Sequence, residues 1–159
     1  GALVKSLERT YFIYRTPLGR ITLACDGAAL THAAFGVAEF EGEKRACALT
    51  NQASSEILQY LAKKRKTFSV PINPQGSAYQ KKVWKYVLSI PYGQTRSYAQ
   101  VAADLGSPKG LHAVSAACNH NPLPFFIPTH RIIGVHGDMG GFVGGSAVKK
   151  FLLALERQG

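Results

Sequence analysis

The chain has 159 residues, a formal net charge of +10 and a hydrophobic fraction of 46%, enough to bury the core of one domain or two small ones. No apolar run approaches the ~20 residues of a membrane span, which excludes a helical membrane protein. The cationic excess points to a polyanionic partner, nucleic acid first.

In chain order, residues 11–24 read as two strands, with Phe12, Tyr14, Ile21 and Leu23 alternating around the turn-forming Thr16-Pro17-Leu18-Gly19. Asp26-Gly27 offers a second turn before a third strand over 29–35. The spacing of Ile57, Leu58 and Leu61 predicts a short helix over 54–64, with the basic run Lys63-Lys64-Arg65-Lys66 at its C-terminal end, where cations suit the helix dipole. An extended linker, Val70-Pro71-Ile72-Asn73-Pro74-Gln75-Gly76, follows this small α+β unit. A domain boundary is therefore expected between residues 73 and 74, giving domains of 1–73 and 74–159.

Beyond the linker the texture becomes helical. Tyr79, Val83, Trp84, Val87 and Leu88 share one face of a helix over 77–90, with Lys81, Lys82 and Lys85 opposite, and Pro91-Tyr92-Gly93 stops it. Ser97 is suited to cap a helix over 98–105 ended by Gly106, and Ser107-Pro108 to open a third. Two helices joined by a tight glycine-containing turn are a helix-turn-helix candidate. The third helix carries Ala113, Ser115, Ala116 and Ala117, which permit close approach to a duplex but offer few groups for reading base edges.

Cys25, Cys47 and Cys118 are odd in number and widely spaced, which argues against a disulfide framework and fits a reducing compartment. Cys25 and His32 supply two ligand types for a metal, but a closed zinc site needs four and no second pair lies at suitable spacing, so no metal is expected.

The most informative stretch is Pro128-Thr129-His130-Arg131, after Asn121-Pro122-Leu123-Pro124 and before Gly134. With Tyr79-Gln80, Val83-Trp84, Ile90-Pro91-Tyr92-Gly93 through Ser97-Tyr98, Gly144-Gly145, Val148-Lys149 to Leu152-Leu153 and Glu156, it resembles the O6-alkylguanine-DNA alkyltransferases, also called methylated-DNA–protein-cysteine methyltransferases. These are suicide DNA-repair proteins whose signature reads Pro-Cys-His-Arg. Thr129 stands in the cysteine's place, a departure similar to that of the alkyltransferase-like proteins, which carry tryptophan there.

The resemblance implies an α+β fold: a ribonuclease-H-like N-terminal unit, then a helical, winged-helix-like helix-turn-helix domain that binds DNA. It implies double-stranded DNA containing O6-alkylguanine as partner, the damaged base being rotated out of the stack, with other repair proteins acting downstream. No cofactor is implied, and the expected state is a monomer in the cytosol and nucleoid, or the nucleus. By position, Thr129, His130 and Glu156 match the family's catalytic residues. Tyr98, Asn121, Phe142, Val143 and Gly144 match residues around the flipped base, and Ser97, Tyr98, Lys109, His112, Ala113 and Ala116 match the DNA-contacting surface. His112 falls where the family's intercalating arginine lies, and is shorter and largely neutral near pH 7.

A thiol is suited to alkyl displacement because its pKa of ~8.5 is readily lowered and its thiolate is a strong nucleophile. An alcohol is un-ionised at neutral pH. Hydroxyl nucleophiles succeed in acyl transfer, where an oxyanion hole stabilises the intermediate; displacement at an alkyl carbon forms no such oxyanion. The expected function is recognition of O6-alkylguanine without transfer. The alternatives are a methyltransferase that is engineered at position 129 or weakly active, and a helix-turn-helix protein indifferent to lesions.

Overall fold

The computed structural model describes residues 8–106, 110–134 and 142–158, in two compact units, residues 1–75 and 76–159. Among the described residues no helix is long and apolar enough to cross a membrane.

The first unit is built on a four-stranded sheet of order β3-β2-β1-β4. Strands β1 (Thr10–Thr16) and β2 (Gly19–Cys25) form an antiparallel hairpin whose last pair is Thr16 with Gly19. The Thr16 hydroxyl closes that turn, donating to the Gly19 carbonyl at 2.7 Å and accepting from the Leu18 amide at 3.0 Å. Strand β3 (Leu30–Phe35) adds antiparallel to β2, and the short β4 (Glu43–Lys44) pairs parallel to β1. Residues 21–25 of β2 are all buried, as suits an inner strand with both faces covered.

Helix α1 (Ala48–Leu61) packs on this sheet through Ala53, Ile57 and Tyr60. It begins six residues before the predicted start and ends before the basic run. The start is set by a capping box in which the Cys47 amide donates to the Thr50 hydroxyl at 3.0 Å. The end is set by a pair of reversed bonds, Lys63 amide to Tyr60 carbonyl (3.1 Å) and Lys64 amide to Gln59 carbonyl (2.8 Å), with Lys63 in the left-handed region at φ 63°. Lys63-Lys64-Arg65-Lys66 thus follows the helix rather than ending it. Leu58, on the predicted apolar face, is exposed instead.

The segment read as an extended linker is partly tied down. Leu30 donates to the Pro71 carbonyl and Asn73 to the Leu30 carbonyl, both at 2.8 Å, so Ile72 bridges the β3 edge. The Glu56 carboxylate, 3% exposed, accepts from the Ser69 and Val70 amides and the Ser69 hydroxyl, anchoring the same segment to α1.

The second unit opens with α2 (Ala78–Leu88), capped reciprocally by Ser77 and Gln80. It buries Val83, Trp84 and Val87 as the periodicity requires, but Leu88 lies exposed on the last turn. Gly76 is dictated by packing: a Cβ there would lie 2.5 Å from the Trp84 ring. Strand β5 (Arg96–Ser97) leads into α3 (Tyr98–Asp104), where the Ser97 hydroxyl accepts from the Gln100 amide at 3.0 Å. Helix α4 (Gly110–Asn119) packs against α3 and α2, and the Trp84 indole N–H donates to the Ala117 carbonyl at 2.9 Å. The proposed opening of α4 at Ser107-Pro108 lies outside the described residues. A turn of 3-10 helix (Thr129–Arg131), a strand β6 (Ile132–Ile133) parallel to β5, and helix α5 (Ser146–Arg157) complete the unit.

Candidate functional site

The segment from Asn121 to Arg131 is buried almost throughout, and its shape follows from its prolines and one asparagine. Asn121 uses its whole side chain: Nδ2 donates to the Ile127 carbonyl at 2.8 Å and to Thr129 Oγ1 at 3.0 Å, and Oδ1 accepts from the Leu123 amide at 2.9 Å. The Ile127 amide bonds the Leu123 carbonyl at 2.8 Å, and inside this loop Phe125 adopts φ 74°. A left-handed non-glycine residue costs about 1 kcal/mol or more, which burial of Phe125 and Phe126 offsets. Pro128, with φ −79° and ψ 65°, is the centre of an inverse γ-turn in which the Thr129 amide reaches the Ile127 carbonyl at 2.8 Å. Proline fixes that φ, so Thr129 is presented by backbone geometry with its hydroxyl already accepting from Asn121.

Behind it, α5 delivers Glu156 from its last turn. The carboxylate is 4% exposed and takes four donors: Arg131 Nε at 2.8 Å, Arg131 Nη2 at 2.9 Å, His130 Nε2 at 2.7 Å and the Gly93 amide at 3.1 Å. Gly93 has φ 80°, a conformation that favours glycine, and an added Cβ would make a tight 3.3 Å contact with the Glu156 carbonyl. Arg131 also donates to the Ile90 carbonyl at 2.8 Å and lies over the Tyr92 ring. Because a carboxylate only accepts, the His130 Nε2 carries the proton and its lone pair is on Nδ1. Burial lowers the His130 pKa below its ordinary value; Glu156 opposes this, and Arg131 and Lys149 add to it. The ring is therefore a neutral imidazole near pH 7.

Lys149 forms a second buried knot. Its ammonium donates to the Ile132 carbonyl at 2.6 Å and to the Tyr98 hydroxyl at 3.3 Å. Burial pulls Lys149 down to about 8, and burial, with a smaller effect of Cys118, pushes Tyr98 up to about 12. Cys118 is buried in α4, where desolvation raises its thiol to about 12. Neither Lys149 nor Arg131 was among the expected site residues. The signal for Lys149 was present, since it shares the apolar stripe 149, 152, 153, 156 of α5.

Of the expected residues, the structure thus joins Thr129 to Asn121 and His130 to Glu156. Phe142 meets the His130 ring edge-on at 6.3 Å between centroids, while Val143 is 40% exposed and Gly144 lies in the turn that Gly145 closes onto Phe142. On α4, His112 and Ala116 are exposed and Ala113 half-buried; Ser97 is half-buried and occupied in capping α3; Tyr98 is 8% exposed. Lys109 lies outside the described residues.

Two family descriptions match the chain: the ribonuclease-like domain of 6-O-methylguanine DNA methyltransferase over residues 10–74, and its DNA binding domain over residues 78–158. The methylated-DNA–protein-cysteine methyltransferase of Methanosarcina acetivorans is 37% identical over 151 residues, covering 92% of this chain and 97% of that protein. The constitutive enzyme of that name from Bacillus subtilis is 36% identical over 156 residues, covering 92% and 94%. The crystal structure of Mycobacterium tuberculosis OGT in complex with DNA superposes with a TM-score of 0.87 at 34% identity, over 94% of this chain and 93% of that one. Sheet unit, helical unit and the buried Pro-Thr-His-Arg turn together define a two-domain α+β protein of the DNA-repair class. The chain belongs to the 6-O-methylguanine DNA methyltransferase family.

Proposed function

We propose that this family member binds duplex DNA through residues 74–159 and holds a flipped O6-alkylguanine against Thr129, Tyr98, Asn121 and the Phe142-Val143-Gly144 turn without accepting its alkyl group. The observation that carries the reading is a hydroxyl, Thr129 Oγ1, at 3.0 Å from Asn121 Nδ2 in the place of the acceptor sulfur, beside an intact His130-Glu156-Arg131 cluster. Burial keeps His130 a neutral and weak base, an alcohol is far less acidic than a thiol, and displacement at an alkyl carbon develops no oxyanion that the site could stabilise. Cys118 is no substitute, because it is buried and desolvation pushes its thiol up to about 12. Binding draws on different groups. The exposed face of α4, with His112 and Ala116, meets the duplex as the second helix of a helix-turn-helix, the net charge of +10 supplies attraction to phosphate, and a weakened lesion pair lowers the cost of extrusion.

The relatives named protein-cysteine methyltransferases favour transfer as the second reading, and one sample separates the two. The protein is titrated with duplexes identical except for O6-methylguanine or guanine at one position, at fixed salt, and then weighed intact. The expected result is about tenfold tighter binding to the lesion, worth about 1.4 kcal/mol, with unchanged protein mass, and a gain of one methyl group only in Thr129→Cys. Equal affinities defeat lesion recognition, and a methylated unsubstituted protein defeats the absence of transfer.

A further inference from the structure

The N-terminal unit holds a second chemically competent pair, unrelated to the lesion site. Cys25 ends β2 and Cys47 caps α1, and the fold brings their sulfurs to 3.3 Å across 22 positions of sequence. Thr10 Oγ1 lies 3.2 Å from Cys25 Sγ, and the Thr50 hydroxyl donates to Cys47 Sγ at 3.7 Å. The two thiols differ in access. Cys25 is 2% exposed, whereas Cys47 is half-buried and lines a cavity of about 300 Å3 together with Thr10 and Arg45. A small solute entering that cavity meets the Cys47 sulfur, and among the described residues the cysteine sulfur beside a modified Cys47 is that of Cys25. This is the arrangement of an attacking and a resolving thiol.

We propose that Cys25 and Cys47 form an oxidation site for small hydroperoxides, with Cys47 oxidised first and Cys25 closing an intramolecular disulfide between β2 and α1. In the first step the Cys47 thiolate attacks one peroxide oxygen, the O–O bond breaks, and the leaving hydroxide takes up a proton, giving Cys47 sulfenic acid and water when the reagent is hydrogen peroxide. In the second step Cys25 sulfur attacks Cys47 sulfur, the S–O bond breaks, and hydroxide leaves as water with the Cys25 proton. Two thiols lose two electrons and two hydrogens, and one peroxide gains them. The sulfurs have about 1.2 Å to close from contact to the ~2.05 Å bond, starting from 3.3 Å. The asymmetry in acidity agrees with the assigned order. Burial opposes ionisation of both, but hydrogen bonds from Thr10, the Thr50 amide, Cys25 and the Thr50 hydroxyl hold Cys47 to about 7, while burial pushes Cys25 up.

The test treats the full-length, fully reduced protein with a small excess of hydrogen peroxide, alkylates the remaining thiols under denaturing conditions, and maps peptides by mass. The expected product has lost two hydrogens, carries a linked Cys25–Cys47 peptide, retains an alkylatable Cys118, and forms at least about tenfold faster in the native than in the urea-unfolded chain. Cys25→Ser is expected to stop at a Cys47 sulfenic acid trapped by dimedone, and Cys47→Ser to yield no dimedone adduct at Cys25. Three fully alkylatable cysteines after peroxide overturn the proposal. So does a linkage through Cys118 or between molecules, or equal rates in folded and unfolded chains. The decisive reading comes from the unsubstituted protein, so it holds even where a variant fails to fold.

Discussion

Glu156→Gln is the sharpest probe of the helical unit, because it changes one atom of a group that has four donors on it. The carboxylate offers Oε1 to Arg131 Nε and the Gly93 amide, and Oε2 to Arg131 Nη2 and His130 Nε2. A carboxamide has one oxygen, so whichever way it turns, its NH2 faces a guanidinium N–H. His130 adapts by moving its proton to Nδ1; Arg131, always charged and 7% exposed, has no such option. Removing one partner of a buried ion pair costs about 3–5 kcal/mol, a large part of the roughly 5–15 kcal/mol that holds a domain together. Urea unfolding followed by the emission of Trp84, the one tryptophan of the chain and 2% exposed, reads this directly. Arg131→Met combined with Glu156→Gln removes the stranded charge and lets the amide bond both Gly93 and His130, so the double variant is expected to be more stable than the sum of the single losses predicts by at least about 1.5 kcal/mol. A single loss below about 1 kcal/mol, or strict additivity, refutes the account of Glu156 as the anchor of this cluster.

Lys149→Met tests the second knot through pH. With its native pKa depressed to about 8, Lys149 is neutral in the folded chain while still protonated in the unfolded one, up to its ordinary ~10.4. The unfolded state binds the extra proton in that window, so the unsubstituted protein gains stability relative to the variant as pH rises from 8 to 10.4, by up to about 3 kcal/mol; parallel profiles refute it. Lys63→Gly relieves the φ of 63° at the end of α1 and is expected to stabilise the N-terminal unit by about 0.5–1 kcal/mol, read as a raised urea midpoint at unchanged slope; a lowered midpoint contradicts the strain assigned there. His112→Arg adds a permanent cation to the exposed face of α4 and is expected to tighten duplex binding and steepen the plot of log K against log salt by about one unit. An unchanged slope removes α4 from the DNA interface.

The hairpin around Pro17, the cap at Ser97 and the helices beginning near Ser77 and Ser97 were legible because turn, cap and period agree locally. The start of α1 was not, because its N-cap is the thiol of Cys47 rather than a serine or aspartate, and its first turn carries no apolar stripe. Leu58 and Leu88 kept helical spacing yet face outward, since periodicity defines a stripe but not its edges. At the site, Asn121, Thr129, His130 and Glu156 were identifiable by resemblance and the structure joins them in two pairs. Lys149 and Arg131 were not named as site residues for one reason: a cation in a sequence reads as a solvated one, and it is the Ile132 carbonyl and Tyr98 hydroxyl for Lys149, and Glu156 and the Ile90 carbonyl for Arg131, that make their burial tolerable.

The asparagine that holds the turn has a further property, durability. Side-chain deamidation at neutral pH runs through attack by the following backbone nitrogen on the amide, and Asn121 is followed by Pro122, whose nitrogen bears no hydrogen and cannot close that ring. Asn119, exposed at the end of α4 and followed by His120, has no such protection. As a preparation ages, isoaspartate is therefore expected to accumulate on the surface of α4 while the amide beneath Thr129 stays chemically intact.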